Sequence, residues 1–200
     1  DSRRAQSLLS QFFPDLKKKF GRALDFYWPG ILDLFAATAA DEAHSFLFLE
    51  KSVMDLKDFF GKDFKNFWPV IVRIGVAAKG NNSGVLYKLL SIKPKLYLQS
   101  PEHLEDIGKV FVRCQGDETS CDFFIEDILP ALHKAAGKAW DTDWPRVKTI
   151  LEELDMPAIA NLNILMFAFQ WSFQNLDEAH NTLHALKSFR SKYRQPEAPI

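Results

Sequence analysis

Two hundred residues, 47% hydrophobic and 26% charged, give enough chain for one domain that buries about 70% of its unfolded surface. With 25 basic and 26 acidic residues the net charge is -1, which gives no sign of electrostatic steering onto nucleic acid or anionic lipid. Eighteen Phe and five Trp stand against four Tyr, so the interior is expected to be bulky, with gaps where flat rings meet.

In chain order the apolar residues recur at helical spacing, and no segment alternates as a strand does. Leu8, Leu9, Phe12, Phe13, Leu16 and Phe20 mark a first helix, with a break expected at Pro14 and a stop at Gly21. Trp28-Pro29 is expected to open a second, through Ile31, Leu34 and Phe35. Phe46 to Phe60 marks a third, ended by Gly61, and Trp68-Pro69 a fourth, through Val76. Val85 to Ile92 gives a fifth, halted by Pro94. Ser100-Pro101-Glu102 reads as an N-cap, a proline at the first helical position and an acidic first turn, opening a sixth. A seventh runs from near Asp122 to Gly137, and Trp144-Pro145 opens an eighth, through Leu154. A polar helix spans Asp177 to about Tyr193, and 195–200 is a proline-containing tail. The three Trp-Pro pairs read as helix starts, not as a repeat array, because the gaps between them are unequal. The expected fold is all-α: a single-domain, multi-helix orthogonal bundle over 1–200.

Motifs with chemical content are sparse. Cys114 and Cys121 bracket a short polar loop that a disulfide would close with about 2–3 kcal/mol of stabilisation. A disulfide there favours secretion, whereas two separate thiols would fit a reducing compartment. Asn81-Asn82-Ser83 is a glycosylation sequon. His180 and His184 share a helix face at metal-binding spacing but lack a third ligand, so a surface pair is expected and no metal. His103 is expected in solvent beside Glu102, and His44 and His133 on helix surfaces or as capping residues. Gly80-Asn81-Asn82-Ser83-Gly84 follows no strand and reads as a loop, not a nucleophile elbow. No catalytic residue is expected, and the chain is read as a non-enzyme.

The spacing of signals from Trp28 to Leu154 resembles a globin. Trp28, Phe48, Leu56 and Phe59-Phe60 are similar to the opening helices of that family. Leu104, Ile107 and Gly108 resemble the turn before its iron-binding histidine, and Phe123-Phe124, Leu129, Leu132 and Trp140 its last two helices. The resemblance implies a globin-like part over about 22–155, a helical extension over 156–194, and an oxygen carrier holding haem. Phe111 stands where the proximal histidine would be and Lys79 at the distal position, so haem is not expected, or only with unusual ligation.

The longest uncharged run is Met156 to Leu176. Its Asn and Gln residues make it too polar to span a membrane. Ile164, Met166, Phe167, Phe169, Trp171 and Phe173 need cover, either inside the domain or in an assembly interface. Two functions follow as expectations. In the first, an aromatic pocket of Phe48, Phe59, Phe60, Leu104, Ile107, Phe111, Phe124 and Leu129 holds a hydrophobic ligand such as a lipid or pigment. In the second, the chain is a structural subunit or adaptor docking a protein partner, or its own copy, through 156–176.

Overall fold

The computed structural model describes residues 13–38, 43–156 and 172–193, and leaves the side chains of 43–48, 94–95 and 187–193 undescribed. All regular structure among the described residues is helical, as the periodicity predicts. The chain groups into two compact units, Asp1–Gly116 and Asp117–Ile200.

In the first unit α1 is helical over 13–20 and α2 spans Leu24–Ala37. They are followed by α3 (Ala43–Phe60), α4 (Phe64–Ala77), α5 (Asn82–Leu89), the short α6 (Pro94–Tyr97) and α7 (Pro101–Arg113). The helices form two rows. In one, α2 packs along α4 and α4 along α7; in the other, α3 packs along α5, and α4 also meets α3 and α5. Apolar spacing accounts for this. Leu24, Tyr27, Ile31 and Leu34 give α2 one buried face, and Leu104, Ile107, Val110 and Phe111 do the same for α7. Because α4 sits between neighbours it is buried on several sides, through Phe64, Phe67, Trp68, Ile71 and Ile74.

Glycines set how closely the first row stacks. A Cβ on Gly75 of α4 would lie 2.3 Å from Leu34 Cδ2 of α2, and one on Gly108 of α7 would lie 2.2 Å from Ile74 Cδ1 of α4. Thus α2 inserts Leu34 into the gap that Gly75 leaves in α4, and α4 inserts Ile74 into the gap that Gly108 leaves in α7. Aromatic rings fill the interior behind this ladder. Tyr27 lies 5.2 Å from Phe64 and 5.5 Å from Trp68 between ring centres, and Phe60 stacks on Phe67 at 4.5 Å. Such pairs add about 0.5–1.5 kcal/mol beyond the area they bury. At the end of α2, fully buried Asn82 donates through Nδ2 to the Leu34 carbonyl at 2.8 Å and to Thr38 Oγ1 at 2.9 Å. A helix-terminal carbonyl is thereby satisfied from the start of α5.

The second unit contains α8 (Glu118–Phe123), α9 (Leu129–Ala136), α10 (Trp144–Glu153) and α11 (Leu176–Tyr193). Asp117 caps α8, accepting from the Ser120 N–H at 2.8 Å. A π turn, Phe124–Ile128, joins α8 to α9. Pro130, with no N–H to offer the Glu126 carbonyl one turn back, gives the physical reason for the wider turn. α11 packs on both α9 and α10, with an Arg146–Asp177 ion pair and a His180 Nε2–Glu153 Oε2 contact of 3.0 Å linking α10 to α11.

Several expectations need correction. α2 and α4 start four residues before their Trp-Pro pairs, so Pro29 and Pro69 lie inside helices. Each proline deprives only a first-turn carbonyl, of exposed Asp25 or Lys65, which water can reach. The starts are set instead by Gly21 and Gly61, whose φ values of 56° and 55° end the preceding helix and lead through a single 3-10 turn into the next. Gly137, at 57°, does the same before Trp144. In all three cases the glycine stands seven residues before the tryptophan. A recurrent corner is therefore present, although the distances between its copies are unequal.

Pro14 is the second of the helical residues 13–20, and the residues before it, where a break would fall, lie outside the described residues. Cys114 and Cys121 form no disulfide. The bracketed residues are not a free loop, because α8 begins at Glu118 and turns Cys121 inward as a buried thiol, while Cys114 is buried at the end of α7.

Candidate functional site

The expected ligand-pocket residues fall in both units. In the first, Leu104, Ile107 and Phe111 lie on the buried face of α7, fully enclosed. Phe59 is half-buried and meets Phe60 edge-on at 5.0 Å, and Phe60 stacks on Phe67. The side chain of Phe48 lies outside the described residues. In the second unit Phe124 and Leu129 are fully buried, at the π turn and the start of α9. None of these residues lines either of the two surface clefts below. Of the expected interface, Ile164, Met166, Phe167, Phe169 and Trp171 lie outside the described residues; Phe173 is described, and buried.

One histidine departs from expectation, His103, and the side chain of His44 lies outside the described residues. His103 is buried, with Nδ1 3.2 Å from the Tyr97 carbonyl, because the first turn of α7 folds over the end of α6. His133 is half-buried with its ring 4.9 Å from that of Trp140, and burial holds its pKa below the ordinary value despite the opposing pull of Asp141. His180 and His184 share a helix face at 6.3 Å between ring centres. Among the described residues no three His, Cys, Asp or Glu side chains are grouped to hold a metal ion. Nor is any described helix long and apolar enough to cross a membrane.

The first cleft, about 370 Å³, lies between α3 and α5 and is lined by Lys51, Ser52, Asp55, Asn81 and exposed Tyr87. Asn81, the asparagine of the sequon, donates through Nδ2 to the Gln115 carbonyl. The second, about 320 Å³, lies between α4 and α7. Its floor is Ile74, Ala77 and Val112, and the Ile74–Gly108 contact sets the spacing of its walls. Arg73, Lys109 and Arg113 rim it, with Glu105 as the one acidic side chain.

That rim is organised from within. Arg73 Nη2 donates to Glu105 Oε2 at 2.5 Å, and Lys109 Nζ lies 3.0 Å from Asp106 Oδ1 and 3.5 Å from Glu105 Oε1. The Arg73 hydrogen bond holds the Glu105 carboxyl below the usual range, with the charges of Arg73 and Lys109 adding to it. Burial pulls the Lys109 ammonium down, but Asp106 and Glu105 more than offset this and raise it. Sequence reasoning missed this site. Arg73, Glu105 and Lys109 stand on two helices 32 and more residues apart, and only the Glu105–Lys109 spacing is visible locally.

No protein-family model matches the chain, and neither the curated proteins nor the solved structures give a match.

Proposed function

We propose that the chain is a non-enzymatic interaction scaffold, a subunit or adaptor built from stacked helical hairpins. The observation that carries this reading is the glycine ladder, Leu34 into Gly75 and Ile74 into Gly108, which stacks α2, α4 and α7 side by side. Rows of helices stacked in this way present broad continuous faces, and helical-hairpin proteins use such faces to bind partners. The aromatic interior gives weaker support to a lipid or pigment carrier, since its rings lie against one another.

Native mass spectrometry with an absorption spectrum tests the reading. A scaffold is expected colourless, at 22.9 kDa or a multiple of it, without a small-molecule adduct. A stoichiometric adduct would instead support the carrier, and a Soret band the haem protein that the globin resemblance implies.

A further inference from the structure

The geometry points to the α4–α7 cleft as the anchor site of that scaffold, taking an acidic peptide segment that inserts one aliphatic side chain. This rests on the scaffold reading and names the chemistry of the partner. Three observations lead to it.

The floor is apolar: Ala77 is exposed and Val112 half-buried beside it, with Ile74 buried beneath, and a space of about 320 Å³ has room for an aliphatic side chain and its backbone. The rim carries three cations against Glu105, and the buried Asp106 beside Lys109 brings the local balance to three cations and two carboxylates, an excess of one positive charge. Two of those cations are already positioned. Asp106, whose side chain is only 2% exposed, anchors Lys109 from beneath, and Glu105 anchors Arg73 from the side. Both side chains nevertheless remain about half exposed, at 57% and 46%. A guanidinium has five N–H donors, and one bond to Glu105 leaves others for a ligand carboxylate. Holding the cations in place before binding reduces the side-chain entropy that association costs.

Nucleic acid fits the site less well. Glu105 stands in the cleft and the chain carries a net charge of -1, whereas an apolar floor suits a side chain and not a phosphate backbone.

The test uses the full chain and a fluorescein-labelled peptide with one leucine flanked by two glutamates on each side, read by fluorescence anisotropy. Saturable binding is expected, weakening as salt rises. It should fall by roughly tenfold or more in Arg73→Glu, which reverses a rim charge, and in Ala77→Trp, which fills the floor. Lys51→Glu, an exposed cation of the other cleft, should leave it unchanged. Circular dichroism and melting establish that each variant is folded, and either rim or floor variant alone suffices. The proposal is overturned if no saturable binding occurs, or if the leucine-to-serine or glutamate-to-lysine peptide binds as well. It is equally overturned if Lys51→Glu weakens binding as much as Arg73→Glu, or if a single-stranded oligonucleotide displaces the peptide. A chain that carries no small molecule yet fails here loses the anchor site alone, while an adduct in the mass spectrum removes the scaffold reading itself.

Discussion

Glu50 shows how one side chain sets a pH dependence. It sits on α3 only 6% exposed, and its Oε1 atom has no hydrogen-bond partner among the described residues. Burial, with Asp15 of the first helix adding repulsion, pushes its pKa up to about 7. The folded protein therefore holds this proton more tightly than the unfolded chain does. Stability from the group is present below the unfolded value and is lost as pH rises through the folded one. Relative to Glu50→Gln, the wild type should lose about 2–3 kcal/mol between pH 4.5 and pH 8, most of it by pH 7. Urea melts of both proteins across that range measure the difference. A pH-independent difference would show that Glu50 is solvated or paired. The two cysteines and His103 teach a related lesson. Their residue types and neighbours read as loop or surface, and burial came from where α7 and α8 begin, which is set by the Ser100 and Asp117 caps.

Elements were legible where a local device encodes them. The Ser100-Pro101 start of α7 is such a case, with the Ser100 hydroxyl accepting from the His103 N–H at 3.3 Å. The starts of α2 and α4 were not, because a proline fits the whole first turn of a helix and does not fix where that turn begins, whereas the positive φ of Gly21 and Gly61 turns the chain. The site was hidden for a different reason, since the ladder that builds it pairs residues 41 and 34 positions apart. That ladder predicts a specific coupling. Gly108→Ala should cost about 1–3 kcal/mol by overpacking against Ile74, lowering Tm by about 2–4 °C per kcal/mol. Shortening the opposing side chain with Ile74→Val should restore part of this loss, so that the double variant is more stable than the sum of the single effects. Strict additivity in a double-mutant cycle would mean that the two helices do not meet at this point.

For the whole molecule the open question is what covers Met156–Leu176, 21 residues without a charge. The structure describes its ends: Met156, Phe173 and Leu176 are all buried. A row of Ile164, Met166, Phe167, Phe169 and Trp171 between buried ends has no composition for solvent. In the scaffold reading this run is a docking surface, and a charge at its centre acts on assembly. Where the partner is a second copy, Phe167→Asp should therefore leave a folded protein that elutes on gel filtration as a smaller species, with a melt lowered only by the lost association and independent of protein concentration. Were the run instead packed within its own domain, the same variant would keep its size and lose several kcal/mol, through a cavity and an uncompensated carboxylate. Gel filtration with light scattering, run beside a thermal melt, separates the two. Unchanged size together with an unchanged melt would place Phe167 in solvent and remove this segment both from internal packing and from contact with a second copy of the chain, leaving the α4–α7 cleft to stand or fall on its own peptide titration.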